Sequence, residues 1–111
     1  MEIQEHRHGA VVVLKPLGPL CLNDAEIFRQ RIFEVMAKSR GHFVIDVSAV
    51  PYIDSQGLEA MVDTSEVLSQ SGQSFKVCTV NNTLHEVLAL TGFASHFESY
   101  EKVTDAVRSF L

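Results

Sequence analysis

The residues best suited by type to take part in chemistry are Asp54 and Ser55, in the segment Asp54-Ser55-Gln56-Gly57. A serine hydroxyl can attack an ester, cap a helix or accept a phosphate group, and a neighbouring carboxylate can assist. An apolar stretch precedes this segment and apolar residues at helical spacing follow it, which predicts a strand, a short connector and a helix beginning at Asp54-Ser55. The Ser55 hydroxyl is therefore expected at a helix start, within reach of another protein.

Three enzymatic functions are conceivable for the chain, and each requires residues that the sequence lacks. The Gly-x-Ser-x-Gly elbow of serine hydrolases needs a glycine where Ile53 stands, although Gly57 fits its last position. A receiver-type phospho-aspartate domain needs clustered carboxylates for magnesium, but the second predicted strand ends in the segment Leu14-Lys15-Pro16-Leu17. The chain also has no Gly-rich loop ending in Gly-Lys-Ser/Thr for nucleotide hydrolysis. We therefore predict no catalytic residues, and we expect any kinase that modifies Ser55 to be another protein.

Other potential ligands and nucleophiles are scattered along the chain. His6 and His8 lie on one side of a predicted strand and can supply two metal ligands, but no third ligand is near them in the sequence. Cys21 and Cys78 match neither a redox nor a zinc spacing, so we predict that both are reduced structural residues. We expect neither a metal site nor a cofactor.

Composition indicates a soluble, folded protein. The chain has 111 residues, of which 46% are apolar and 21% charged, so we predict a single domain spanning residues 1–111. A formal charge of −5 with dispersed Lys and Arg residues disfavours nucleic-acid and anionic-membrane binding. The charged N-terminal segment resembles neither a signal peptide nor a membrane span, so we expect a cytoplasmic protein.

Hydrophobic patterning predicts the order β-β-α-β-α-β-α-β-α. The first two strands are expected to form a hairpin around Gly9. The nearly all-apolar run from Phe43 to Val47 is typical of a central strand covered by helices on both faces. The predicted fold class is therefore α/β, with a mixed sheet of four to five strands and about four helices.

Helix boundaries are predicted from capping residues. Asn23 with Glu26 forms one potential capping box at the start of the first helix, and Thr83 with Glu86 forms another at the start of the third. The second helix is expected to have an acidic outer side, formed by Glu59, Asp63 and Glu66.

Four segments together resemble the STAS domains of the anti-sigma factor antagonist family. They are the valine strand followed by Leu17-Gly18-Pro19-Leu20, the run Phe43-Val44-Ile45-Asp46-Val47-Ser48, the segment Tyr52-Ile53-Asp54-Ser55-x-Gly57-Leu58, and Leu88-x-x-x-Gly92-Phe93. The resemblance covers essentially the whole chain. It implies a STAS domain that regulates transcription indirectly, through protein–protein interaction and without catalysis.

The resemblance also implies a phosphorylation switch. In that family, the serine after the aspartate is phosphorylated by a partner that is both anti-sigma factor and serine kinase. The unmodified antagonist binds this partner and frees the sigma factor, whereas the phosphorylated antagonist is released. By resemblance, Ser55 is the phosphate acceptor, and the expected partner-binding residues are Asp54, Gln56, Gly57, Glu59 and Asp63.

Gln56 departs from the family pattern, in which small residues are common between the serine and the glycine. Gln56 is therefore expected to change kinase recognition or partner choice without removing the acceptor. The alternative within the same fold is a STAS scaffold or regulatory subunit of a transporter ATPase or stress-sensor complex, without a phosphorylation switch. The alternative from another class is an esterase that uses Ser55 as its nucleophile.

Overall fold

The chain begins with a β-hairpin, as the sequence predicts. The computed structural model describes residues 1–111, with β1 at Glu2–His8 and β2 at Val11–Leu17 pairing antiparallel along their whole length. Gly9, in the turn between them, has a φ of +66°, a conformation that glycine adopts without steric strain. The hairpin prediction is confirmed.

Eight further elements follow the hairpin. They are α1 (Asn23–Ser39), β3 (Phe43–Asp46), α2 (Ser55–Gln70), β4 (Phe75–Cys78), α3 (Asn82–Thr91), a short 3-10 turn (Ala94–His96), β5 (Phe97–Tyr100) and α4 (Val103–Arg108). The five strands lie in chain order in one mixed sheet, in which β1 is antiparallel and the other four strands are parallel. The predicted order of strands and α-helices is confirmed, and only the 3-10 turn was not expected.

The core has two parts, one on each face of the sheet. The larger cluster joins the sheet to α1, α2 and α3, and the smaller one joins it to α4. β2 shows how the alternation of a strand divides the side chains, because Val12 and Leu14 belong to the larger cluster and Val11 and Val13 to the smaller. All four residues of β3 are buried, which confirms the prediction of a doubly covered central strand. None of the α-helices combines the length and the hydrophobicity that a membrane span requires.

Both capping-box predictions are wrong. Asn23 is the first residue of α1 rather than its cap, and Leu22 occupies the cap position without a side-chain cap. At α3 the cap is Asn81, whose side chain accepts a hydrogen bond from the Leu84 N–H at 2.8 Å and donates to the Val50 carbonyl at 2.9 Å. Because Asn81 satisfies a helix N–H and a carbonyl from a distant loop, α3 begins before Thr83.

The two cysteines are free and differ in accessibility. Cys78 is fully buried in β4, and this burial raises the pKa of its thiol to about 11. Cys21 is half-buried in the loop between β2 and α1. Neither cysteine forms a disulfide in the structure.

A lysine is buried beneath α4, on the smaller face of the core. The Lys76 ammonium group donates a hydrogen bond to Glu98 at 2.9 Å and lies 4.7 Å from the ring centroid of Phe110. Hydrogen bonds from Ser74, Lys76 and Tyr100 lower the pKa of Glu98 to about 2. The charge of the buried ammonium group is therefore balanced by a carboxylate at the edge of the sheet.

Replacing Glu98 with glutamine is expected to change the stability of the protein in acid. A carboxyl group whose pKa falls from 4.5 to about 2 on folding stabilises the folded state above pH 4.5, and this contribution is lost as the pH falls toward 2. Glu98→Gln should lower the free energy of unfolding at pH 7 by about 1 kcal/mol or less, since the carboxylate is partly exposed. Urea unfolding between pH 7 and 2 should show a shallower acid loss for the variant. Parallel pH profiles would contradict this role of Glu98.

Candidate functional site

The candidate site lies at the first turn of α2, where Ser55 is the first helical residue. Its side chain is exposed, and the helix cap is supplied by the preceding residue, Asp54. The hydroxyl of Ser55 is therefore not needed to cap the helix. The predicted start of this helix at Asp54-Ser55 is confirmed.

Asp54 uses both oxygens of its carboxylate to bind backbone N–H groups. Oδ1 accepts a hydrogen bond from Gly57 at 2.8 Å, within the first turn of α2, and Oδ2 accepts one from Leu22 at 3.0 Å. The hydrogen bond from the Gly57 N–H, supported by that from Leu22, lowers the pKa of Asp54. The charged carboxylate thus joins the start of α2 to a loop that lies 32 residues earlier in the chain.

Backbone hydrogen bonds hold the same two segments together. The loop of residues 18–22, hereafter the 18–22 loop, runs beside the connector that leads from β3 to α2. The Leu20 N–H donates to the Tyr52 carbonyl at 3.1 Å, and the Asp54 N–H donates to the Leu20 carbonyl at 3.1 Å. Leu20 and Ile53 form a parallel bridge, and the Leu20 side chain is fully buried. The surroundings of Ser55 are therefore anchored to the core.

Gly57 allows α2 to approach the 18–22 loop. A Cβ atom at this position would overlap the Leu20 carbonyl oxygen and would lie 2.7 Å from Cγ1 of Ile53. Glycine within a helix costs about 1 kcal/mol relative to alanine, so its presence here is explained by the close contact. The sequence predicts Gly57 as a partner-binding residue, and the structure buries it in the packing between α2 and the 18–22 loop.

Leu22 has an unfavourable backbone conformation, with φ +53° and ψ −130°. For a residue other than glycine, such a conformation costs about 1–3 kcal/mol and persists only when the surrounding structure imposes it. Here the hydrogen bond to Asp54 holds the Leu22 N–H. The Leu22 side chain is 66% exposed, so its burial offsets little of this cost. Nothing in the sequence around Leu22 signals this conformation.

A groove of about 250 Å³ lies between the N-terminal halves of α1 and α2, and on α2 its lining begins at Gln56, the residue after Ser55. Its walls include three of the predicted site residues: Gln56 and Glu59 are exposed, and Asp63 is half-buried. Asp63 forms an ion pair with Arg29 at 3.5 Å. Glu66, expected on the same acidic side, instead lines a separate polar groove near the end of α2.

The groove beside Ser55 is acidic and lacks histidine. Glu26 of α1 faces Glu59 of α2 across it, and neither carboxylate has an ion-pair partner. Arg29 is the one cationic residue in the lining. The site therefore presents a hydroxyl group on an open, negatively charged surface.

Together the fold and the site define a class of protein: an α/β domain in which the helix after the central strand of a mixed sheet begins with an aspartate cap followed by an exposed serine. The STAS domain family model matches residues 2–106, and the chain belongs to this family. The resemblance based on the sequence is thereby confirmed.

Three relatives show what the chain is similar to. It is 32% identical over 100 residues to the anti-sigma-F factor antagonist RsfB of Mycobacterium tuberculosis, covering 90% of this chain and 81% of that protein. It is 22% identical over 108 residues to the anti-sigma F factor antagonist of Paenibacillus polymyxa, with 96% and 92% covered. The crystal structure of an anti-sigma factor antagonist from Mycobacterium paratuberculosis superposes with a TM-score of 0.82 at 27% identity, covering 97% of this chain and 92% of that one.

Proposed function

We propose that the protein is an anti-sigma factor antagonist whose affinity for its partner is controlled by phosphorylation of Ser55. The antagonist role is supported by the names of relatives that match nearly the full chain. The observation that carries the switch is the exposed position of Ser55 directly after the Asp54 cap of α2. The proposed partner is a cytoplasmic anti-sigma factor with serine kinase activity, and the chain itself acts as a regulator without catalysis.

Phosphorylation is compatible with the fold at this position. A phosphoserine carries a charge of about −1.5 to −2 at neutral pH, and the start of a helix favours negative charge. Asp54 opposes the phosphate by repulsion, but Ser55 is exposed, so water screens this repulsion. We therefore expect the modified chain to remain folded.

The same charge is unfavourable at a docked interface. The phosphate would have to lose its hydration shell on a surface that already includes Asp54 and Glu59. Desolvation of an unpaired charge, or contact with a partner carboxylate, costs several kcal/mol at an interface. Phosphorylation thus releases the partner while the fold stays intact.

The acidic surface also indicates the chemistry of the partner. In the proposal Asp54, Gln56, Glu59 and Asp63 face the partner, and Gly57 supports them from below. The carboxylates of this surface favour a partner that presents Lys or Arg side chains. The kinase would recognise Ser55 together with Gln56, the residue that differs from the family pattern.

Phosphate transfer from ATP tests the acceptor directly. The unmodified chain, incubated with ATP, Mg²⁺ and the partner kinase, should incorporate one phosphate per chain, because Ser55 alone is the acceptor. Ser55→Ala should abolish incorporation. Ser69→Ala removes another exposed serine from the same helix and should be labelled like the unmodified chain. Undiminished labelling of Ser55→Ala would contradict the proposal.

A further inference from the structure

We infer that Leu22 is a partner-contact residue of the Ser55 surface and that Asp54 is the positioning residue that holds it in place. This inference rests on the proposed function, since it names a contact made by the same surface. It adds an apolar anchor in the 18–22 loop to a site whose other exposed residues are polar.

The backbone of Leu22 is the first argument. At φ +53° and ψ −130° a glycine would be free of steric strain, so the leucine side chain makes the fold less stable. The side chain is 66% exposed and is absent from both core clusters. Packing within the chain therefore does not explain a leucine at this position.

The hydrogen bonds around Leu22 are the second argument. Its N–H is held by Asp54 Oδ2, its carbonyl accepts a hydrogen bond from the Ala25 N–H at 3.2 Å, and the preceding Cys21 carbonyl accepts one from Asp24 at 3.1 Å. The conformation is thus imposed from both sides. Because Asp54 directly precedes Ser55, the residue that positions Leu22 also adjoins the proposed phosphate acceptor.

The surroundings of Leu22 indicate what it contacts. Leu22 lines the acidic groove, in which the carboxylates of Glu26 and Glu59 have no ion-pair partner and Arg29 is paired with Asp63. Complementary charge calls for a basic partner surface, and an exposed leucine calls for an apolar pocket within it. The occupant that fits is a protein with an apolar pocket bordered by Lys or Arg residues.

Binding of the partner kinase tests the contact. The probe is the serine kinase purified from the cells that make this chain, identified by its ATP-dependent labelling of the unmodified chain. Leu22→Ala should weaken its binding at least about tenfold, as is usual for an apolar anchor, with an unchanged melting temperature. Leu22→Gly should weaken binding at least as much while raising the melting temperature by about 4 °C, because the strain is relieved. Leu90→Ala removes another exposed leucine, from α3, and should bind like the unmodified chain.

The positioning role is tested by a double-mutant cycle. Asp54→Asn replaces one of the two acceptor oxygens with an NH₂ group, which cannot accept a hydrogen bond. With the remaining oxygen capping the Gly57 N–H, the Leu22 N–H loses its acceptor. If Asp54 acts through Leu22, its replacement should weaken binding much less in the Leu22→Ala background than alone. Nuclear magnetic resonance couplings should show φ of Leu22 leaving the positive region in Asp54→Asn. Additive losses of affinity, or an unchanged φ, would overturn the positioning role.

The outcomes separate this inference from the proposed function. If the kinase labels and binds the unmodified chain, and Leu22→Ala binds equally well, the inference is wrong and the proposed function stands. If no kinase from these cells labels or binds the unmodified chain, both are wrong.

Discussion

Replacing Ser55 with aspartate is expected to weaken binding of the partner by roughly 30-fold or more, which corresponds to about 2 kcal/mol. The new carboxylate adds a negative charge next to Asp54 on a surface that also includes the unpaired Glu59. The fold should not suffer, because Ser55 is exposed and an acidic residue in the first turn of a helix is favourable. Titration calorimetry with the partner and thermal unfolding of the free chain measure the two effects.

Two matched variants show whether the effect belongs to this position. Ser55→Ala removes the hydroxyl without adding charge and should bind the partner with nearly unchanged affinity. Ser69→Asp adds the same charge near the other end of α2 and should leave binding unaltered. Equal binding by Ser55→Asp and Ser55→Ala would contradict a charge-controlled switch, as would equal weakening by Ser55→Asp and Ser69→Asp.

Replacing Gly57 with alanine is expected to destabilise the protein, although alanine is the better helix former. Helix propensity alone would favour alanine by about 1 kcal/mol. However, the added Cβ atom would overlap the Leu20 carbonyl oxygen, a backbone atom held by the Asp54 N–H. Overpacking of this kind typically costs about 1–3 kcal/mol, and we expect the melting temperature to fall by roughly 10 °C. The displaced 18–22 loop should also weaken binding of the partner.

A neighbouring substitution separates crowding from helix propensity. Gln56 lies in the same turn but is exposed, so Gln56→Ala should change the melting temperature little. Thermal unfolding of both variants, followed by circular dichroism, provides the comparison. A Gly57→Ala variant as stable as the unmodified chain would contradict the close contact between α2 and the 18–22 loop.

Local patterns were sufficient to predict most of the fold. The apolar run of β3 and the amphipathic pattern of α2 indicate which side chains are buried, because the period of the hydrophobic residues matches the period of the strand or helix. A cap at the start of α2 could also be predicted locally, because the Asp54 carboxylate accepts a hydrogen bond from an N–H only three residues away. These features require no knowledge of distant parts of the chain.

The features that escaped prediction depend on contacts between distant residues. Asn23 was expected to cap α1, but the second oxygen of Asp54 binds the Leu22 N–H and sets the geometry of the loop. The close approach of Gly57 to Leu20 likewise joins residues 37 positions apart. The sequence therefore indicated which residue is the candidate acceptor, but not how the 18–22 loop is held beside it.

The most direct test of the proposed switch is mass spectrometry of the protein isolated from its own cells. The proposed switch predicts a phosphorylated fraction with the phosphate on Ser55, and loss of that fraction when Ser55→Ala replaces the chromosomal copy. Phosphate on another residue would contradict Ser55 as the acceptor. A Ser55 that is never phosphorylated, while a purified partner still binds the chain, would contradict the switch.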